Sequence, residues 1–73
     1  MTVKDLLQCF TTQIGLIQIK TNNEVKELNS LEDVYNSYGN RLVSRWNVYN
    51  ALTTHVAIHF DNSTLYLKNL NYL

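Results

Sequence analysis

The sequence predicts an α+β domain in the order α-β-β-α-β-β, with a four-stranded, largely antiparallel sheet and two helices on one face. Two observations lead to this fold class. Two helix starts share one pattern, Thr2-x-x-Asp5 and Ser30-x-x-Asp33, and each opens a segment with apolar residues at helical spacing. Each helical segment is followed by short runs with strand character. The 73 residues suffice for one domain, residues 1–73.

The first half of the chain predicts one helix and two strands. The apolar stripe of the first helix consists of Val3, Leu6, Leu7 and Phe10. Two threonines follow, so the helix is expected to end near Phe10. The run Ile14 to Lys20 predicts a strand with Ile17 and Ile19 toward the core. The segment Glu24 to Leu28 predicts a weaker strand at an edge of the sheet.

The second half of the chain repeats this organisation. The stripe of its helix consists of Leu31, Val34, Tyr35 and Tyr38. Gly39 follows where a left-handed C-cap is favoured. Three runs then have strand character, Arg41 to Tyr49, His55 to Phe60 and Thr64 to Lys68. The predicted order α-β-β-α-β-β nevertheless includes only two strands after the second helix. Strict alternation in the first run puts Leu42, Trp46 and Val48 on one face and Val43, Arg45, Asn47 and Tyr49 on the other. Both faces then carry apolar residues, so the phase of this run is open and a bulge is an alternative. Residues 50–54 are expected to form a loop, and residues 61–63 a turn.

The inward side chains of the last two runs follow from strict alternation. They are Val56, Ile58, Phe60, Leu65 and Leu67. Residues 69–73 are predicted to be a tail, with continuation of the last strand as the alternative.

The composition of the chain indicates the compartment in which the protein resides. Six basic and six acidic residues give a formal net charge of zero, so no long-range attraction to nucleic acid or membranes is expected. The single cysteine, Cys9, excludes an internal disulfide and favours a reducing compartment. No signal-peptide layout and no apolar run of ~20 residues is present. The sequence therefore predicts a soluble cytoplasmic protein without a membrane partner.

Residues with reactive side chains form no catalytic pattern. On a strand, His55 and His59 would lie roughly 13 Å apart, too far to share a metal ion. Cys9 lacks a neighbour that would activate it and is expected to be a partly buried thiol. Glu32 and Asp33 are adjacent and serve the start of a helix. The sequence thus predicts a non-enzyme, with no catalytic, metal or cofactor site.

The sheet face that points away from the helices is predicted to be basic and aromatic. Tyr and Arg are enriched at protein interfaces, and bases could also stack on Tyr49 or Tyr66. The alternative is that these residues only face solvent, with tyrosines selected for their strand propensity. Trp46 is expected in the core, because it alternates with Leu42 and Val48. The predicted partner-binding residues are Lys20, Arg45, Asn47, Tyr49, His59, Tyr66 and Lys68.

Two segments resemble a group of small phage and prophage proteins. They are TVKDLL at residues 2–7 and LEDVYNSYGNR at residues 31–41, separated by an Ile-rich strand and followed by Val43 and a terminal hairpin. Asn40 stands where an aspartate is common in the group. The resemblance implies a phage accessory protein, since some such proteins bind and inhibit host proteins, including anti-CRISPR and other anti-defence proteins. It carries no residue role to this chain.

The functional hypotheses follow from the open face and from this resemblance. The first is a phage or mobile-element protein that binds a host protein, a CRISPR effector or other defence protein, and inhibits it by occlusion. The alternative is a small nucleic-acid-binding regulator that uses the basic aromatic face. A third hypothesis is a homodimer, paired edge to edge through the second strand or the tail after Lys68.

Overall fold

The computed structural model describes residues 1–9, 12–13, 15–50 and 54–72, and these contain two helices and six strands. The elements are α1 (Val3–Leu7), β1 (Thr12–Gln13), β2 (Leu16–Lys20), β3 (Val25–Leu28), α2 (Leu31–Tyr38), β4 (Val43–Asn50), β5 (Thr54–Phe60) and β6 (Ser63–Tyr72). The predictions for Phe10, Ile14, residues 51–53 and Leu73 fall outside the described residues.

The predicted four-stranded sheet is wrong. Five antiparallel strands form one sheet in the order β3-β2-β6-β5-β4, and the short β1 pairs with the end of β6. All three runs after α2 are strands, and β6 continues through the predicted tail to Tyr72. The tail is a strand because it has partners within the sheet, Leu70 opposite Thr54 and Tyr72 opposite Thr12. Strand residues therefore make up about half of the described residues.

Both helices pack on the same face of this sheet. Alternation along β2, β5 and β6 turns one set of apolar side chains toward them. The buried core consists of Val3, Leu6, Leu7, Ile17, Ile19, Val34, Val56, Ile58, Phe60, Leu65 and Leu67. Every inward residue predicted for β2, β5 and β6 is in this cluster, so these predictions are confirmed. The opposite face of the sheet carries no helix among the described residues.

The predicted N-terminal cap is complete at α1 and only partly formed at α2. The Thr2 hydroxyl accepts a hydrogen bond from the Asp5 amide, and the Asp5 carboxylate accepts one from the Thr2 amide, both at 3.2 Å. The Ser30 hydroxyl accepts from the Asp33 amide at 3.3 Å. Among the described residues, the reciprocal bond is present in α1 only. Neither described helix has the length and apolar character that crossing a bilayer requires.

Gly39 ends α2 for a reason that differs from the prediction. Its φ of −57° and ψ of −31° are right-handed, so the predicted left-handed C-cap is wrong. A Cβ at this position would lie 2.5 Å from the Tyr35 carbonyl oxygen, which no side chain tolerates without movement of the backbone. The Gly39 carbonyl also accepts from the Lys4 amide at 3.1 Å. Glycine therefore allows the backbone at the end of α2 to lie this close to the Tyr35 carbonyl.

The start of β4 contains a bulge, between Val43 and Arg45, which the sequence left as an alternative. The bulge turns Val43 toward the core and Arg45 to the other face, so their predicted placement on one face is wrong. Leu42 is 70% exposed, and its predicted inward position is also wrong. Thr2 bridges Leu42, and the Val43 amide donates to the Met1 carbonyl at 2.9 Å. The first residues of the chain therefore lie along the outer edge of β4 at its start.

The sheet has two edges, β3 and β4. The prediction that the second strand is an edge is confirmed, since Val25, Lys26 and Glu27 are all exposed. The tail after Lys68 is not the second free edge, because β6 lies between β2 and β5. The second edge is β4.

Candidate binding surface on the open sheet face

The pairing registers arrange the side chains of the open face, the sheet face opposite the helices, in three rows across the strands. The central row contains Glu27, Gln18, Tyr66, Ala57 and Asn47, from β3 to β4. A second row contains Val25, Lys20, Thr64, His59 and Arg45. A third contains Leu16 and Lys68 on one side of a β5–β6 irregularity, and His55 and Tyr49 on the other. All seven predicted partner-binding residues lie on this face.

The centre of the open face is formed by a small buried residue. Ala57 is 2% exposed although it lies on the face without helices. Its cross-strand neighbours are Tyr66 on β6 and Asn47 on β4, both of which have longer side chains. The face therefore has a shallow apolar floor rimmed by polar and aromatic groups. No role was predicted for Ala57, although one signal was present in the sequence, a small residue between two histidines on the outward side of an alternating strand.

Two contacts restrain aromatic side chains of the open face, Tyr49 in the third row and Tyr66 in the central row. The Tyr49 ring stacks on the His55 ring with centroids 5.1 Å apart and an interplanar angle of 21°. The Lys68 ammonium nitrogen lies 5.7 Å from the centroid of the Tyr66 ring, within cation–π range. Tyr49 nevertheless remains 45% exposed. These side chains thus combine a restrained position with accessible aromatic surface.

The two histidines of β5 have separate neighbours. The Nδ1 atom of His59 lies 3.1 Å from the Thr64 hydroxyl oxygen, which belongs to the residue directly opposite. His55 instead stacks on Tyr49. The part of the chain that the structure describes contains no group of three or more His, Cys, Asp or Glu residues suited to hold a metal ion. The histidines are accordingly assigned to the rim of the open face.

Charge on the open face is unevenly distributed. Lys20 and Arg45 belong to the same row and are separated by three strand spacings, roughly 14 Å at about 4.8 Å per spacing. Lys68 adds a third positive charge, and Glu27 at the β3 edge is the acidic residue of the rows. The open face is therefore net positive, although the whole chain is neutral.

Trp46 and Val48 lie on the helix-bearing side of β4, opposite Ile58 and Val56. This confirms the predicted direction of both side chains. They are nevertheless 45% and 44% exposed, so the expectation that Trp46 is a core residue is wrong. The reason is position in the sheet, since β4 is an edge strand. Sequence alternation gave the direction of these side chains but carried no information on how far the helices extend over them.

Two other features lie outside the centre of the open face. Cys9 is exposed rather than partly buried, and its thiol donates to the Asp5 carbonyl oxygen at 3.4 Å. A shallow cavity of about 370 Å³ lies between the start of β2, the end of β3 and the start of α2. Glu27 is the one charged residue in its lining. Neither feature brings together residues with complementary chemical roles.

Comparison with known proteins gives no match, whether with family models, with curated proteins or with solved structures. The resemblance of residues 2–7 and 31–41 to small phage proteins therefore stays a prediction. No relative assigns a role to a residue of the open face. Its function has to be inferred from its geometry and chemistry.

Proposed function

We propose that this chain is a non-enzymatic binding protein that docks a protein partner on its open face. The observation that supports this most is the clustering of Arg45, Asn47 and Tyr49, all exposed, beside the buried floor at Ala57. The helices occupy the other face, so a partner can approach without displacing any described element. Binding would then require no large rearrangement of the sheet.

The residue types of the open face fit a protein partner. Tyr and Arg are over-represented among residues that dominate binding energy, because each combines large contact area with specific polar contacts. Side chains on a paired strand are also held by their neighbours, which lowers the entropy lost on binding. A standard interface covers about 800 Å² per partner. That is about a sixth of the 4962 Å² surface of this chain.

A more specific form of the proposal takes the partner to be a host protein and the chain to be a phage or mobile-element accessory protein. The mechanism would be occlusion, in which the sheet covers a site that the host protein needs. A CRISPR effector or another defence protein is the candidate target, and this choice comes from the resemblance alone. Because the net charge is zero, we infer recognition of a protein surface rather than mimicry of DNA.

The test compares two double variants in capture experiments from host lysate. Arg45→Ala with Tyr49→Ala removes the two exposed anchors of the open face. Glu32→Ala with Asn36→Ala changes two exposed positions on α2 and serves as the matched control. The expected result is capture of the same protein by wild type and control, with at least about tenfold weaker capture by the first variant. Equal capture by all three proteins would reject the open face as the docking surface.

A single-stranded nucleic acid is the second candidate ligand, favoured by the positive charge of the open face and by Lys68 lying over Tyr66. Stacked bases on a tyrosine beside cationic side chains would bind the strand without a helix or a groove. Fluorescence anisotropy with short DNA and RNA strands at ~50 and ~200 mM salt tests this, because phosphate contacts weaken steeply over that range. No change in anisotropy at the lower salt would eliminate this candidate.

A further inference from the structure

Four side chains that can donate hydrogen bonds lie next to one another in the second row of the open face. They are Lys20, Thr64, His59 and Arg45, on β2, β6, β5 and β4 in turn. Lys20 and Arg45 are exposed, and the two residues between them are half-buried. Lysine and arginine donate with a positive charge. The Thr64–His59 pair therefore has a cationic neighbour on each side.

The Thr64–His59 pair is joined by a hydrogen bond and still has one donor left over. The Thr64 hydroxyl oxygen lies 3.1 Å from Nδ1 of His59. If the hydroxyl donates to Nδ1, the Nε2–H group of the ring remains as a donor. If Nδ1–H donates to the hydroxyl oxygen, the hydroxyl hydrogen remains instead. In either tautomer the pair therefore offers one hydrogen to a further acceptor.

The bulge in β4 places Arg45 beside this pair. The residue pairs Val43–Phe60 and Arg45–His59 enclose the bulge. Ser44 is its extra residue, and the Ser44 hydroxyl donates to the His59 carbonyl oxygen at 2.9 Å. Unbroken alternation would put Ser44 opposite His59 and turn Arg45 to the helix-bearing side. Bulges that redirect a side chain in this way are over-represented next to functional sites.

The positive charge beside the pair is not neutralised within the described residues. Neither Lys20 nor Arg45 forms an ion pair there. Asp61, in the turn between β5 and β6, instead faces Arg41, with its carboxylate oxygen 3.8 Å from the guanidinium Nε. Glu27 lies on β3 in the central row, not in the second row. The charges around the pair therefore favour an anionic ligand.

We infer that the Thr64–His59 pair, together with Lys20 and Arg45, binds a phosphate monoester on a phosphorylated side chain of the protein partner. The backbone positions of Lys20 and Arg45 lie roughly 7 Å on either side of the middle of the pair, at about 4.8 Å per strand spacing. Two long, flexible side chains at that distance can converge on one tetrahedral anion. A phosphate monoester has a charge of about −1.5 to −2 and three acceptor oxygens, which match the two cations and the remaining donor.

The exposed position of this site favours an anion that is attached to a larger partner. A free phosphate ion on an open sheet face keeps much of its hydration, so its contacts with the two cations are weak. A phosphorylated side chain binds together with the other contacts that its protein makes to the open face. The inference therefore rests on the proposed docking of a protein and adds the chemistry by which that protein is recognised. A nucleic-acid phosphate carries only one negative charge and matches the site less well.

The first experiment titrates the full chain with N-acetyl-phosphoserine amide at about pH 7 and follows the backbone amide resonances by NMR. Saturable shifts at the site are expected, with a Kd on the order of 1 mM for a few exposed charged contacts. Lys20→Gln with Arg45→Gln should weaken binding at least about tenfold. Lys4→Gln with Lys26→Gln is the matched control, because it removes the same charge from exposed positions outside the open face. The control should change the Kd less than about twofold, and the spectra show whether both variants are folded.

The second experiment changes the probe. N-acetyl-serine amide should cause no shift, and a thymidine dinucleotide, which is a phosphodiester, should bind more weakly than the phosphoserine probe. Tighter binding of the dinucleotide overturns the inference in favour of nucleic acid, and binding of inorganic phosphate at least about tenfold tighter overturns it in favour of a free anion.

Two results of the first titration also overturn the inference. One is the absence of a saturable shift with the phosphoserine probe up to ~20 mM, and the other is an equal loss of binding in the two double variants. The titrations use no partner protein, so they decide on the site whatever the lysate capture shows. Failure of the site and failure of protein docking are therefore distinguishable.

Discussion

The two faces of the sheet are built from the same strands but obey different constraints. On β6, Leu65 is 0% exposed beneath the helices, and the adjacent Tyr66 is half-buried on the open face. Packing against both helices fixes the size and shape of the first side chain. On the open face, no helix among the described residues covers the second, so its identity is free to serve recognition. Function is therefore expected on the face where stability depends least on the choice of residue.

The largest difference between the two faces in the stability cost of a substitution is expected at Leu65 and Tyr66. Leu65→Ala leaves a cavity beneath the helices and should lower the free energy of unfolding by about 2–5 kcal/mol. Tyr66→Ala removes a side chain that water already reaches and should cost less than about 1 kcal/mol. Urea denaturation of both variants measures the two effects. Similar losses would mean that the open face is packed as strictly as the helix-bearing face.

A smaller difference is expected when side chains are enlarged. Ile58→Phe adds volume where Ile58 is 0% exposed beneath the helices, which should cost about 1–3 kcal/mol. Ala57→Leu adds volume to the floor of the open face, where Tyr66 and Asn47 can turn outward into water. We expect a cost below about 1 kcal/mol there, together with weaker partner binding. Thermal unfolding gives the comparison, and a greater loss for Ala57→Leu would contradict it.

The smallest effect concerns acid sensitivity on the helix side. Hydrogen bonds from the Thr2 backbone and side chain hold the pKa of the Asp5 carboxyl below its usual value. A lowered pKa in the folded state contributes stability above the pKa of the unfolded chain and loses it as the pH falls through the folded value. Wild type should therefore have a higher Tm than Asp5→Asn at neutral pH.

The same pair of proteins provides the acid control. Below the pKa of Asp5 the carboxyl is protonated in both folded and unfolded chains, so the two melting temperatures should converge. A Tm difference that persists unchanged in acid would show that the capping geometry, and not the charge of Asp5, is responsible.

Much of the packed face could be predicted from alternation and helical spacing. Val56, Ile58 and Phe60 lie in the core because one side of their strand is apolar throughout. The strand count failed after α2, where all three runs with strand character are strands. The length of β6 was underestimated at residues 69–72, where asparagines disfavour strand structure and pairing with β1 and β5 overrides that preference. β1 has two residues and no periodicity that a sequence could reveal.

The sequence predicts which residues lie on the open face, but it does not predict the shape of that face. Asn47 and Tyr49 lie where alternation put them, because β4 and β5 stay in register over these residues. The buried position of Ala57 depends on side chains from two neighbouring strands. The exposure of Trp46 depends on the edge position of β4. Neither the strand order nor the extent of the helices is encoded in the local pattern, which is why both features escaped prediction.

The central position of β6 has a consequence for how the domain folds. β4, β5 and β6 follow one another along the chain and can pair as neighbours, and β2 with β3 forms a second local hairpin. The two units join where Leu16 meets Lys68, residues about fifty positions apart. Closing so long a loop is slow compared with forming a hairpin. We therefore expect the docking of β2 onto β6 to limit the folding rate.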